Sequence, residues 1–469
     1  MLERLKSMTG KTHDDGSPAQ RLLAGWGRTA PTLATVSRPT AEAEISRLIT
    51  SSPERGLIAR GLGRSYGDPA QNAGGSVIDM TGLNNVHHFD VENGLISVEA
   101  GLSLQQLTSM ILPFGFFLPV SPGTQFVTVG GAIASDIHGK NHHVDGSFCN
   151  HVTAIEILTP TSEQQTASPE RNPELFWATA GGMGMTGIIL RATLKLPRVE
   201  TSRIVVDTDR TRDLDEVMHL QQSGDERYQY SVAWVDCMAR GSSLGRSILM
   251  RGNHARLQDL DSGERASALA TRPGPGVTAP PFVPPGLLRT SSVKLLNEVW
   301  YRKTPRRERE ALHTIKKFFY PLDWIGEWNR FHGPLGFLQY QFVIPDTRHD
   351  VVRTVIEALA DGGWPSSLAV LKRMGPGHGP LSFAIPGWTL AVDIPAGIPE
   401  LNELLDRFDD LVADAGGRIY LAKDSRMRPE LLPLMYPQLT SWRDTVAQID
   451  PQRIMRSDLD RRLHLRAEG

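Results

Sequence analysis

Cysteine is almost missing from this sequence: Cys149 and Cys237 are the only two among 469 residues. One pair cannot staple a disulfide framework, and no C-x-x-C spacing offers zinc binding or dithiol exchange. Long apolar runs are missing too, none approaching the roughly 18 residues of a membrane span. Residues 1–6 lack the apolar core of a secretory signal, so the sequence by itself points to a chain folding in solution on the cytoplasmic side. Peripheral attachment to a membrane stays open, since a surface patch or an amphipathic helix suffices for it. A bias toward one sign of charge is also lacking, with 50 Lys and Arg against 52 Asp and Glu. Without a basic field, no nucleic-acid partner is expected.

What is present is an ordinary globular balance, 40% hydrophobic and 22% charged residues. The length exceeds the roughly 100–200 residues of one domain, so two or three are expected. Residues 1–20 are polar, with Gly10, Gly16 and Pro18, and read as a disordered leader. Short apolar runs at 57–59, 77–80 and 95–98 read as strands. A helix at 103–112 follows, with Ser103 and Gln106 forming a capping box. The texture changes after about Val199. Residues 272–286 hold six prolines among glycines, which excludes a helix or an inner strand and leaves a long loop, either a mobile lid or a disordered insertion.

A weak repeat follows. A strand at 338–344 ends in Pro345 and leads to a helix with Val352, Val355, Ile356 and Leu359 on one face, stopping at Gly362-Gly363. A strand at 389–394 ends in Pro395 and leads to a second helix, with Pro399 in its first turn. That helix presents Leu401, Leu404, Leu405, Phe408, Leu411 and Val412, and stops at Gly416-Gly417. Two such units suggest helices on one face of a mainly antiparallel sheet. Alternation puts Gln339 and Gln341 together on the opposite face, and groups Thr389, Ala391 and Asp393. That face either walls a cavity or meets solvent.

Three glycine-rich blocks stand out. The first, Ala59-Arg60-Gly61-Leu62-Gly63-Arg64-Ser65-Tyr66-Gly67-Asp68, directly follows a strand, and its glycines could expose consecutive N–H groups to an anion. Its spacing is not the G-x-G-x-x-G dinucleotide fingerprint. The second runs from Pro122-Gly123-Thr124 through Val127-Thr128-Val129-Gly130-Gly131-Ala132-Ile133-Ala134 to Asp136-Ile137-His138-Gly139-Lys140-Asn141-His142-His143. No carboxylate or cysteine set completes a metal-ligand spacing around its three histidines, so no metal is expected. The third is Gly181-Gly182-Met183-Gly184-Met185-Thr186-Gly187-Ile188-Ile189.

In this order, the blocks resemble the vanillyl-alcohol-oxidase class of FAD enzymes. The similarity runs from about Trp26 to Leu465 and includes Gly326-Glu327-Trp328-Asn329-Arg330 and Ala422-Lys423-Asp424-Ser425-Arg426. Within the class, the polyprenyl-phosphoryl-ribose 2′-oxidase branch is the most similar. The resemblance implies an α+β, two-domain FAD-linked oxidase fold. Residues 21–199 and 418–469 would form a split FAD domain, and residues 200–417 a substrate domain built on an antiparallel sheet with helices on one face. Arg60, Gly61, Leu62, Gly63, Arg64, Ser65, Tyr66, Gly67 and Asp68 would cradle the pyrophosphate. Gly123, Thr124, Thr128, Val129, Gly130, Gly131, Ala134, His138, Gly139, Lys140 and Asn141 would line the cofactor. Gly184, Gly187, Ile189 and Tyr420 would reach it from later segments. Many relatives attach flavin covalently to a histidine in the first loop. Tyr66 follows Arg64-Ser65 here, so FAD is expected without a covalent bond.

Lys423 is the catalytic candidate, as a base for the sugar hydroxyl or as an electrostatic holder of the developing alkoxide. Lys140, Trp234, Gln339, Gln341, Lys372, Thr389 and Ala391 are the substrate-binding candidates. The implied reaction is oxidation of a polyprenyl-phosphoryl-β-D-ribose at its 2′-hydroxyl, the first half of an epimerisation serving actinobacterial cell-wall arabinan. The implied partners are a separate NAD(P)H-dependent keto-sugar reductase and a quinone or other electron acceptor. The branch has members placed in the periplasm, against the cytoplasmic reading of the N-terminus. The sequence departs from the branch at Ala391, where its best-known members carry a cysteine, and at Thr389, where they carry asparagine. A related oxidase acting on another sugar, alditol or aldonolactone therefore stays open.

Overall fold

A computed structural model describes residues 18–271, 276–280, 282–283 and 288–467. Most of the expected leader and part of the expected Pro/Gly loop lie outside the described residues. Where they are described, two short elements differ from expectation. Ala19–Leu23 is an edge strand paired antiparallel with Thr32–Ser37. Its side chains are mostly exposed, so it carries no apolar pattern to read. Val277–Thr278, inside the expected loop, pairs in parallel with Ile325–Gly326.

Among the described residues, three larger sheets build the fold. The first orders Ala19–Leu23, Thr32–Ser37, Ser76–Asp79 and Leu57–Arg60, parallel apart from its edge hairpin. The second is antiparallel and orders Val86–Asp90, Leu95–Glu99, Ile188–Lys195, Val152–Leu158 and Gln164–Ala167. The helix Leu104–Ile111 enters through the capping box of Ser103 and Gln106, as their spacing suggests. The end of the chain returns to the first sheet. Leu57 N–H donates to the Ile454 carbonyl, and Arg456 N–H donates to that of Leu57, each at 2.9 Å.

The third sheet has eight antiparallel strands, ordered Arg307–Thr314, Arg203–Thr211, Ser247–His254, Tyr230–Val235, Ala369–Met374, Gly387–Pro395, Phe337–Pro345 and Arg418–Ile419. The helices Asp350–Gly362 and Leu401–Asp414 pack on it. The first buries Val351, Val352, Val355, Ile356 and Leu359, and ends at Gly363 in the left-handed conformation. The second buries Leu401, Leu404, Leu405, Phe408 and Val412. Pro399 falls just before that helix and Glu400 stands at its N-cap position with no side-chain cap bond, so the entry lies slightly later than the proline suggested. Both helical stripes share one core with Tyr340, Phe342, Leu390 and Val392 of the strands. Truncating Phe408 to alanine there costs about 3–5 kcal/mol. With one face covered by helices, the side chains that alternate away from it are free to build a site.

Candidate active site

Register decides which polar side chains meet. In the eight-stranded sheet Gln339 lies opposite Asp393, Gln341 opposite Ala391, and Val343 opposite Thr389. Lys372 lies opposite Thr389, Val370 opposite Ala391, and Trp234 opposite Val370. Directly opposed residues of antiparallel strands share a face. Trp234, Gln339, Gln341, Lys372, Thr389 and Ala391 therefore lie on the one face that the helices leave open. The sequence left open which side Thr389, Ala391 and Asp393 take; the register places them beside the glutamines.

Hydrogen bonds tie this face to the second glycine block. Gln341 Nε2 lies 3.0 Å from His138 Nε2 and donates to Thr389 Oγ1 at 3.2 Å. Lys372 Nζ lies 3.0 Å from His138 Nδ1 and donates to the Gly139 carbonyl at 3.3 Å. Burial, with Lys372 nearby, holds the His138 imidazole far below its usual pKa, so it is neutral near pH 7. A neutral imidazole accepts at one nitrogen alone and an amide NH2 cannot accept, so the ring accepts from Gln341 and donates to Lys372 Nζ, which requires that amine to be uncharged. Phe383 stacks on the ring and Tyr420 lies tilted against it. Burial lowers Lys372 to about 7. Burial, then Lys372, lowers Lys140 likewise to about 7. Lys140 reaches the Phe318 carbonyl, with its ammonium 4.3 Å from the centre of the Phe318 ring.

Lys423 sits between the sheet and the first glycine block. Its Nζ is 3.6 Å from the centre of the Tyr66 ring. Gln339 Nε2 donates to Tyr66 Oη at 3.2 Å and to Asp393 Oδ1 at 2.6 Å. Burial lowers Lys423 to about 7 against the pull of the Asp393 carboxylate. Burial likewise raises Asp393 to about 7, against its hydrogen bond from Gln339 and the charge of Lys423. The two groups titrate together. Lys423 is not a surface partner of Asp424. Asp424 is buried and bound by Arg462.

The glycine blocks converge on this cluster. Tyr66 N–H donates to the Ala422 carbonyl at 3.0 Å. Tyr420 Oη donates to the Ser135 carbonyl at 2.8 Å. Met183 N–H donates to the Ala134 carbonyl at 2.9 Å. Thr128 caps the short helix Val129–Ala134, and a Cβ at Gly61 would meet its hydroxyl at 2.1 Å. Gly184 lies on the strand Leu57–Arg60, its added Cβ 3.1 Å from Ile58. Gly187 and Ile189 stand behind, against Leu158 and in the core of the second sheet. Asn141 Nδ2 donates to the Pro119 carbonyl and the Asp145 carboxylate, while its Oδ1 is buried with no partner among the described residues.

Three features fit a bound dinucleotide. The N–H groups of Leu62, Gly63, Arg64 and Ser65 find no acceptor among the described residues, which leaves consecutive donors for a pyrophosphate. Gly123 is exposed, and a Cβ there would meet nothing within 4 Å among the described residues. Arg64 Nε is buried without a partner among the described residues, while its guanidinium stacks on Trp26. Two charged residues of the first block are occupied otherwise. The Arg60 guanidinium donates to the carbonyls of Ala24 and Ala70, and Asp68 takes a two-pronged bond from Arg462 at 2.8 and 3.0 Å. They brace the loop.

Sequence reading missed Trp26, Asp323, Phe383 and Arg462. Asp323 accepts from Gln125 N–H at 2.9 Å across nearly two hundred residues. Arg462 likewise acts at long sequence separation, and no local spacing announces either.

The FAD binding domain family matches residues 33–168. The decaprenylphosphoryl-β-D-ribose oxidase of Mycolicibacterium smegmatis is 45% identical over 451 residues, covering 94% of this chain and 97% of the relative. An uncharacterized protein of Streptomyces coelicolor is 39% identical over 374 residues, 78% of this chain and all of the relative. Cytokinin dehydrogenase 10 of Oryza sativa subsp. japonica is 33% identical over 174 residues, 34% of this chain and 31% of the relative. No helix among the described residues is long and apolar enough to cross a membrane. This chain belongs to the decaprenylphosphoryl-β-D-ribose oxidase family, with the two-domain FAD oxidase fold, and is an FAD-dependent oxidoreductase acting on a CH–OH group.

Proposed function

We propose that the protein oxidises the 2′-hydroxyl of a polyprenyl-phosphoryl-β-D-ribose to the 2′-keto sugar, with Lys423 as the group that takes the hydroxyl proton. One observation carries this reading. Lys423, with its amine brought near neutrality at pH 7, stands where the first glycine loop meets the polar face of the eight-stranded sheet. FAD, when bound, supplies the hydride acceptor. The N–H groups of residues 62–65 would hold its pyrophosphate, and the second and third glycine blocks would give close approach to its flat ring.

Lysine near pKa 7 is partly unprotonated at neutral pH and can accept a proton, which an ordinary exposed lysine cannot do. Once protonated, it faces Asp393, whose carboxylate stabilises the new charge. Gln339 and Gln341 orient the sugar through their amides, and Lys372 and Lys140 attract the phosphate. Trp234 and Ala391 form the apolar part of the wall. Tyr66 stands in the first loop without a histidine beside it, so FAD is held non-covalently, and acid precipitation releases all of the yellow colour into the supernatant.

The product is the substrate of a separate NAD(P)H-dependent keto-sugar reductase, and a quinone or other acceptor reoxidises the flavin. Because the substrate carries a lipid, the protein works as a peripheral partner of the plasma membrane, on its cytoplasmic or its periplasmic side. The test is anaerobic mixing of the FAD-loaded protein with a small substrate panel. A polyprenyl-phosphoryl riboside bleaches the flavin, while free alditols and aldonolactones leave it oxidised. The reverse pattern overturns the reading.

A further inference from the structure

We infer that the outward face of the helix Thr290–Lys303 is a docking surface for an anionic lipid bilayer. The inference rests on the reading of a lipid-linked substrate for its purpose, and on the helix itself for its evidence. The inward stripe is Val293, Asn297 and Tyr301. Val293 and Asn297 are buried. Asn297 Nδ2 donates to Asp236 Oδ1 at 2.8 Å and to the Ser366 carbonyl at 3.2 Å. Tyr301 Oη donates to the Thr211 carbonyl at 2.9 Å, and Thr290 Oγ1 to that of Gly363 at 2.8 Å. The helix is therefore fixed in rotation, and the identity of its outer face is a property of the fold.

That outer face is apolar where water would call for charge. Leu295 is 66% exposed, Leu296 52%, Val299 54% and Trp300 52%. Single exposed leucines need no explanation, but four large apolar residues within two turns form a patch that a soluble surface does not keep without use. Its border is basic. The helix carries Lys294, Arg302 and Lys303 against one acid, Glu298, and Arg306 and Arg307 follow at once, Arg307 being paired with Asp209. Glu298 is already held by Arg246 and Arg302. Lys294, Lys303 and Arg306 make no ion pair among the described residues. Glu308 and Glu310 lie beyond, on the edge strand.

An apolar stripe with a tryptophan, rimmed by lysine and arginine, is the pattern of a helix lying in the headgroup plane. The side chains enter the acyl boundary and the cations meet lipid phosphates. A second copy of this chain fits the surface less well, because a two-fold interface would bring the two basic rims together. The placement also serves the site. Asp236 directly follows the strand bearing Trp234, and Ser366 closely precedes the strand bearing Lys372, so Asn297 pins the helix to the ends of two site-forming strands.

The test is flotation of the full-length FAD-loaded protein with phosphatidylglycerol/phosphatidylcholine vesicles and with phosphatidylcholine alone. The parent protein floats with the anionic vesicles and is released by salt. Leu295→Ser/Val299→Ser/Trp300→Ser and Lys303→Glu/Arg306→Glu each bind at least about tenfold more weakly. Both keep full flavin content and are bleached at the parent rate by a short-chain, water-soluble riboside. Parent protein that stays with the unbound fraction overturns the proposal, as do variants that float like the parent. A parent dimer in sedimentation that Trp300→Ser converts to monomer also overturns it, since a second copy then covers the face. Failure of the substrate reading looks different: the riboside leaves the flavin oxidised on protein that still floats.

Discussion

The ammonium nitrogen of Lys423 lies 3.6 Å from the centre of the Tyr66 ring, so the proton-accepting candidate and the first glycine loop form one unit. The ring face attracts the protonated amine, while burial opposes it. Lys423 is thus poised between charged and neutral forms, as a base working near pH 7 requires.

Lys423→Met removes the proton acceptor and its contact with the Tyr66 ring, and leaves the glycine loops' backbone hydrogen bonds in place. Anaerobic flavin reduction by the riboside falls about 10²- to 10⁴-fold, while flavin content stays at one per chain. Tyr66→Phe keeps the ring under the amine and loses only the hydroxyl contact to Gln339, so its rate falls less than about tenfold. Stopped-flow absorbance of the flavin measures both. A Lys423→Met protein reduced at the parent rate would remove Lys423 from the chemistry.

The pH dependence follows from the same pair. Only neutral Lys423 accepts a proton, so the reduction rate climbs as pH rises through about 7. The Asp393 carboxylate raises the lysine's pKa by favouring its charged form. Asp393→Asn removes that charge and leaves burial and Lys372 to act alone, so the climbing limb moves to lower pH. Its apparent midpoint belongs to the coupled pair in the parent and to the lysine alone in the variant. A limb that stays in place or moves upward shows that Asp393 does not act on Lys423.

Much of the site was legible because it is written in local patterns. The helices after Pro345 and Pro395 follow from apolar stripes and glycine stops, and alternation alone put Gln339 and Gln341 on one face. What alternation could not supply was register, which sets Gln341 against Ala391 and brings His138 and Lys372 to the same face. The Ala19–Leu23 strand was invisible because an exposed edge strand has no apolar period. Arg60 and Asp68 illustrate a different limit. A charged residue in a glycine loop reads the same whether it faces a phosphate or braces the loop, and only the Ala24, Ala70 and Arg462 partners distinguish the two.

Arg462 joins Asp68 of the first glycine loop to Asp424, beside Lys423. Its removal leaves two largely buried carboxylates without their cation. Arg462→Gln therefore costs about 2–4 kcal/mol and weakens FAD binding, because the loop and the Lys423 turn lose their common anchor. Arg462→Lys recovers only part, since an ammonium cannot make the forked bond to Asp68. Thermal unfolding with and without added FAD measures this. Added FAD raises the variant's midpoint less than the parent's, because at equal free FAD the stabilisation grows with [FAD]/Kd and the variant's Kd is larger.

Two glycines separate packing from cofactor contact. A Cβ at Gly67 would lie 1.8 Å from the Asp424 carbonyl oxygen, a backbone atom that cannot swing aside. Gly67→Ala must therefore displace the loop from the Lys423 turn, and the protein is recovered with little flavin and a lowered unfolding midpoint. At Gly123 the added methyl meets nothing within 4 Å among the described residues, so Gly123→Ala leaves the apoprotein's stability within about 0.5 kcal/mol of the parent. If the space beside Gly123 belongs to the cofactor, the same methyl crowds it, and FAD affinity falls about tenfold with no change in apoprotein stability. Titration of deflavinated protein, followed by quenching of FAD fluorescence, reads that affinity directly. An unchanged FAD affinity in Gly123→Ala removes this glycine from the cofactor wall, and an unperturbed Gly67→Ala removes the contact between the loop and the Lys423 turn.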